Sequence, residues 1–264
     1  MKRVMLIVAY DGTEYHGWQV QPNARTIEGE LNRCLSELLQ EDIQVIGASR
    51  TDAGVHAKGN IAVFDTDARM PAEKISYALN QRLPKDIVIQ KSCQVDADFH
   101  PRHCDTRKTY SYHIYRGEFP MPLRTRYSYF TYVPLDVTKM REAAALFLGE
   151  HDFKSFCSAN TQVESTVRTI EFLDVTEDDR ELVITIRGNG FLYNMVRIMV
   201  GSMLRVGMGF EKPEFIKNAL ECPNRENAGD TAPAHGLMLF RVEYPEFDTD
   251  EVLIGSNTPP FAAE

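Results

Sequence analysis

A stretch of fourteen residues, Gly47–Asn60 (GASRTDAGVHAKGN), restricts this chain more than any other part of it. It lies between two apolar runs, IQVIG at 43–47 and IAVF at 61–64, that read as strands. Arg50, Asp52 and His56 stand between them, yet four of the seven residues from Ala53 to Gly59 are glycine or alanine. Small residues serve where a backbone turns sharply or another group must approach closely. The fold must therefore deliver a charged pair, at the end of a strand, into space kept clear of side chains. An aspartate at such a place is most often a turn or cap residue. In a roomy slot it can also act as a nucleophile or a general base. If residues 50–52 are extended, both side chains leave the same face. The pair then reads equally as an ordinary ion pair or as a nucleophile beside an arginine that binds phosphate or displaces a base.

Hydrophobic periodicity organises the rest. VMLIVAY at 4–10 predicts a buried strand, closed by the turn pair Asp11-Gly12. Its apolar run is too short and too soon followed by Asp11 and Glu14 to read as a signal peptide, so a first strand is the expectation. Thr26 is placed to cap a helix in which Ile27, Leu31, Cys34, Leu35, Leu38 and Leu39 keep helical spacing. A helix over 71–82 and a strand over 87–95 follow. The second half offers a strand at 109–115 (TYSYHIY), a helix at 138–148, and a hairpin, VRTIEFLDV and ELVITIRG, turned at the acidic TEDDR. FLYNMVRIMVGSMLRV predicts the longest helix and HGLMLFRVEY a closing strand; the tail after Tyr244 is expected to wrap the surface. Strands and helices mix without regular βα alternation, which favours an α+β fold of mainly antiparallel sheets. Two halves are expected, 1–105 carrying the Asp52 loop and 106–264 carrying the tyrosine strand and the Arg197 helix.

Charge is uneven. Of a net charge of −9, the last 54 residues supply most, with four Lys/Arg against eleven Asp/Glu. Residues 101–126 hold six basic side chains (Arg102, Arg107, Lys108, Arg116, Arg124, Arg126) against two acids, so an acidic chain can still present a basic face. The plainer reading is a solvated charged surface. No apolar run approaches the ~20 residues of a membrane span. Five cysteines without a CxxC fit a reducing cytoplasm and argue against a structural zinc site.

Two further residues invite chemistry. Arg197 is the only charge in GFLYNMVRIMVGSML, and a buried guanidinium must be met by an acid or cost heavily. Gly190, Tyr193, Asn194 and Gly201 lie at spacings that would leave one side of that helix open for docking. A structural salt bridge is the alternative. Tyr110 follows Arg107 and Lys108 in a strand, where aromatics are usually core. The basic neighbours make it equally a stacking surface for an unpaired base. IAVFDTDAR looks like the start of a haloacid dehalogenase phosphatase, but Arg69 stands where Thr or Val is needed. No HExxH, P-loop, GxGxxG or GxSxG occurs, and no metal site is indicated.

The run GASRTDAGVHAKG resembles the signature of the tRNA pseudouridine synthase A (TruA) family. YDGTEYHGWQVQP, FHPRHCDTRKTYSYHIY, GEHDFKSFCS, GNGFLYNMVRIMVGSMLRVG and APAHGLMLFRVEYP match further segments in family order, from about residue 4 to 245. The resemblance implies isomerisation of uridine to pseudouridine at positions 38, 39 and 40 of the tRNA anticodon stem-loop. It implies a cytoplasmic homodimer without cofactor or metal, built as two similar α/β halves around a central cleft. Asp52 would be the nucleophile, Tyr110 the residue beside the target base, Arg197 the partner of the Asp52 carboxylate, and Arg50 the arginine that helps displace the base. Arg50, Lys58, Arg102, Arg107 and Lys108 would line an RNA groove. Two rivals stand beside it: a non-catalytic RNA-binding module, and a metal-dependent phosphohydrolase using Asp65.

Overall fold

The computed structural model describes residues 1–158 and 163–245 of the 264-residue chain. The expected surface course of the tail lies almost wholly outside them. The chain divides into two compact units, Met1–Thr106 with the chain from Leu239 onward, and Arg107–Met238. The expected boundary lies after residue 105; residues 239–245 belong with the first unit.

In the first unit the sheet runs β4 (Ile87–Val95), β1 (Lys2–Tyr10), β3 (His56–Thr66), β10 (Leu237–Glu243), and the short β2 (Ile46–Gly47) also pairs with β3. The β1–β4, β1–β3 and β2–β3 pairings are antiparallel. Val4 to Val8 are all buried, so this strand is covered on both faces and reads as a continuous apolar run rather than an alternation. Helix α1 (Ile27–Leu39) starts as expected at Thr26, whose hydroxyl accepts from the Gly29 N–H, and buries Ile27, Leu31, Cys34, Leu35 and Leu39. Helix α2 (Ala72–Leu79) is tied to β4 by Ser92, whose hydroxyl donates to Ala72 O at 2.6 Å and accepts from Ser76 N at 2.9 Å. Beyond α2, Asn80 grips both backbone groups of Ile89, where the β1–β4 register shifts. A side-chain amide thus satisfies backbone groups that an irregular ladder leaves over.

The second unit has a sheet ordered β5 (Arg107–Arg116), β9 (Glu181–Gly188), β8 (Val167–Asp178), β7 (Gly149–Asp152), all antiparallel neighbours. The three-residue β6 (Tyr129–Thr131), beside the end of β5, pairs parallel. The β8–β9 hairpin turns through Asp179 at φ 47° and Arg180, the acidic turn that the sequence promised. Helices α3 (Val137–Ala145), α4 (Met195–Gly207) and α5 (Glu214–Glu221) complete it, with Met140, Ala143 and Ala144 of α3 fully or almost fully buried. Both units are thus antiparallel sheets with helices, the α+β organisation expected.

Helix α4 departs from expectation. It begins at Met195, not Phe191, because Asn194 takes a left-handed φ of 61° that no α-helix continues through. At thirteen residues it equals α1 rather than exceeding it. Among the described residues no helix is long and apolar enough to cross a membrane.

Candidate active site

Asp52 lies in the first unit, in the loop that joins β2 to β3. Exposure alternates over Arg50, Thr51 and Asp52, and the loop turns only after the aspartate. Asp52 O accepts from Val55 N at 3.1 Å, closing a tight turn through Ala53 and Gly54, and Gly54 has φ 76°. A residue with a Cβ is strained at that angle, which explains the glycine. Arg50 is exposed, Thr51 buried and Asp52 half-buried. The aspartate is therefore held at the rim of the fold.

What holds it is the segment that begins at the turn pair Asp11-Gly12. The chain from Asp11 to Trp18 wraps the loop closely. Trp18 N donates to Thr51 O at 3.0 Å, Gly54 N to Tyr15 O at 3.2 Å, and Gly12 N to the His56 ring at 3.1 Å. A Cβ on Gly12 would meet Val55 O at 2.0 Å, and one on Gly17 would meet Thr51 O at 2.6 Å. Gly47 faces the Trp18 ring equally closely, at 2.4 Å from an added Cβ. Trp18 itself is 1% exposed. These glycines let two backbones pack without intervening side chains. Composition did not reveal this, because close approach is a property of pairs of segments rather than of either one.

Tyr110 and Arg197 belong to the second unit. Tyr110 is 8% exposed on β5, and its ring meets that of Phe191 edge-on, centroids 5.1 Å apart. Tyr112, two residues on, is a core residue whose hydroxyl donates to Pro233 O at 2.9 Å. Burial raises the Tyr112 hydroxyl well above the ordinary phenol range. Arg197 donates from Nε to Ala232 O at 2.7 Å and from Nη1 to Asn194 Oδ1 at 2.8 Å. Ala232 N returns a bond to Arg197 O at 3.1 Å. One segment, Phe191 to Arg197, therefore touches Tyr110 at its start and orients the arginine at its end.

Of the four residues expected to leave one side of α4 open, Gly201 is already covered, while Tyr193 is exposed. Gly190, Tyr193 and Asn194 precede the helix, and an added Cβ on Gly201 would lie 1.8 Å from Asp230 O. Gly229 N donates to Ser202 Oγ at 2.8 Å. The small residues of α4 admit the chain's own 229–232 segment.

The expected RNA-contacting cations are differently placed. Lys58 sits over the Phe240 ring at 4.3 Å. Arg107 pairs with Glu171 at 2.5 Å, and Glu171 also lies 3.6 Å from Arg187. Lys108 is half-buried and Arg102 exposed. Asp65, the residue of the phosphohydrolase alternative, is taken up in a two-pronged pair with Arg3 at 2.9 and 2.7 Å. Among the described residues no cluster of His, Cys, Asp or Glu could hold a metal ion.

A model of the family described as tRNA pseudouridine synthase matches residues 6–103 and 143–245, which include Asp52 and Arg197. The chain belongs to the tRNA pseudouridine synthase family. Similar curated relatives agree. A tRNA pseudouridine synthase A of Brevibacillus brevis is 47% identical over 244 residues, 92% of this chain and 100% of its own length. One of Acetivibrio thermocellus is 46% identical with the same coverage. A tRNA pseudouridine synthase A 2 of Clostridium perfringens is 43% identical, again over 92% and 100%. As a tRNA pseudouridine synthase the chain is an isomerase that acts on uridine in tRNA.

Proposed function

We propose that this chain isomerises uridine at positions 38, 39 and 40 of the tRNA anticodon stem-loop, with Asp52 as its nucleophile. The reaction breaks the N1–C1′ bond, turns the uracil, and joins C5 to C1′. The proton leaving C5 balances the one gained at N1, so no electrons enter or leave. Tyr110 stands beside the target base, where an aromatic face suits an extruded pyrimidine. Arg197 pairs with the Asp52 carboxylate and keeps it ionised, and Arg50 occupies the space the base vacates. Arg50, Lys58 and Lys108 bind phosphates; Arg107 contributes less, because Glu171 already neutralises part of its charge. The enzyme works in the cytoplasm, without a cofactor.

The observation that carries this reading is the turn from Thr51 to Val55. Backbone bonds from Trp18 and Gly54 fasten it, while Asp52 itself remains half-buried and Arg50 exposed. The test is incubation of unmodified tRNA with the protein alone, followed by carbodiimide mapping of pseudouridine at single-nucleotide resolution. Asp52→Asn should bind tRNA as the parent does and lose activity by about a thousandfold or more, as removal of a nucleophile does. Product at other nucleotides, or substantial turnover by Asp52→Asn, would reject the site as assigned.

The homodimer is supported by a surface of the second unit. Phe119, Leu123 and Tyr132 are 72, 87 and 76% exposed, with Met121 and Tyr127 at 43%. Five large apolar side chains exposed within fourteen residues are more than scattered surface residues account for. Two arginines of this region are already paired, Arg116 with Glu177 at 3.0 Å and Arg124 with Glu181 at 2.6 Å, which weakens it as a phosphate surface. A groove of about 720 Å³ beside it is lined by both signs of charge, Arg116 and Arg180 with Glu118 and Asp179. A patch carrying apolar groups and both charges complements a second copy of itself, as a two-fold interface requires.

A further inference from the structure

The β2–β3 ladder stops just short of the Asp52 loop. Gly47 pairs with Ala62, and Ala48 N donates to Ile61 O at 2.8 Å. The next residue, Ser49, has left the ladder. Its backbone is met instead by a side chain: Asn60 Oδ1 accepts from Ser49 N at 3.3 Å, and Asn60 Nδ2 donates to Ser49 O at 3.0 Å. Asn60 is fully buried. Its amide extends the pairing by one residue while letting the main chain splay away from β3. On the other side of β3 the register with β1 also breaks, between the Val8–Asn60 and Tyr10–Ala57 pairs. Such bulges re-aim a strand, and they recur beside active sites.

The break places Tyr10 where its hydroxyl meets two groups. It lies 2.8 Å from Thr51 Oγ1 and 3.5 Å from Asn60 Nδ2. Tyr10 is 5% exposed and Thr51 7%, so the contact is shielded from water. Thr51 is the residue immediately before Asp52, and its carbonyl is fixed separately by Trp18 N. The side chain and the backbone of one residue are thus clamped by different elements, next to the carboxylate.

We infer that Tyr10, Thr51 and Asn60 are positioning residues for Asp52, setting the direction in which the carboxylate leaves the loop. The Tyr10 hydroxyl fixes Thr51, and Asn60 fixes Ser49, so the aspartate's backbone cannot rotate independently of β1 and β3. This rests on the reading of Asp52 as nucleophile. A misplacement of about 1 Å at a reacting group costs on the order of a hundredfold in rate. Valine at 51 would keep the shape but leave the buried Tyr10 hydroxyl without its nearest partner, so rate and stability must be read side by side.

The test compares Thr51→Val, Thr51→Ser and Tyr10→Phe with the parent and with Asp52→Asn, on full-length unmodified tRNA. Thr51→Val and Tyr10→Phe should lower the single-turnover rate by about ten- to a hundredfold, with tRNA affinity within about twofold of the parent. Thr51→Ser, which keeps the hydroxyl, should restore most of the rate. Parent-like rates for Thr51→Val and Tyr10→Phe would overturn the inference, as would equal losses for Thr51→Val and Thr51→Ser. A melting temperature lowered without a change in rate would assign the contact to stability alone and overturn it too. An active Asp52→Asn would instead remove the nucleophile reading beneath it, so the two failures are distinguishable.

Discussion

Single residues in this protein are fixed by partners far away in sequence, and Asp65 is the plainest case. Its carboxylate meets Arg3 across sixty-two residues at 2.9 and 2.7 Å, and Arg3 also donates to Phe99 O at 3.0 Å. The Arg3 guanidinium holds the Asp65 carboxyl below its ordinary range. A depressed folded pKa contributes stability that is present above the unfolded value of about 3.9 and is lost as pH falls through the folded one. Asp65→Asn should therefore lower the melting temperature at neutral pH, and the gap from the parent should narrow as the pH falls below about 3.9. Thermal melts across that range check it; a gap independent of pH would deny the pair its role. The side chain is too solvated for the effect to be large.

Among the elements, α4 shows how a helix can be right in type and misread in its surroundings. Its burial is as the apolar run requires, from Met195 to Gly207 with only Arg197 and Arg205 less than buried. The sequence reading took its glycines as room for a ligand. In the fold, Asp230 O lies where a Gly201 Cβ would be, and Ser202 Oγ accepts from Gly229 N. Glycine inside a helix ordinarily costs up to about 1 kcal/mol relative to alanine. Here Gly201→Ala should destabilise instead, by about 1–3 kcal/mol, because backbone at 1.8 Å cannot yield as a flexible side chain would. Chemical denaturation of the two proteins measures the difference, and a more stable variant would mean that the 229–232 segment gives way freely. Since Ala232 is bonded to Arg197, that substitution should also disturb the arginine.

For the whole molecule, the exposed stretch from Phe119 to Tyr132 makes the dimer testable. Leu123→Asp places a charge at the most exposed apolar side chain of the patch without touching Asp52, Tyr110 or Arg197. Sedimentation velocity should show a dimer for the parent and a monomer for the variant at micromolar concentration, with unchanged secondary structure by circular dichroism. A variant that remains dimeric would place the interface elsewhere. If the parent is itself monomeric but the variant loses tRNA, the patch is an RNA surface and the dimer reading falls.

Much was legible in the chain alone. Apolar runs and period-two and period-3.6 patterns placed most of the longer strands and helices, because burial is read residue by residue, while the short β6 and β7 and the helix α5 went unanticipated. The Thr26 cap and the Asp179 turn followed from chemistry confined to a few neighbouring residues. The run SRTDAGVH singled out Asp52 through its small neighbours for the same reason. Contacts between distant segments decided the rest. Tyr10 meets Thr51, Asn60 reaches back to Ser49, Trp18 packs on Gly47, and the 229–232 segment packs on α4 at Gly201 and Ser202. No local pattern encodes such pairings. A hydroxyl, an amide or a missing Cβ acquires its meaning only when folding brings its partner within hydrogen-bonding or van der Waals distance.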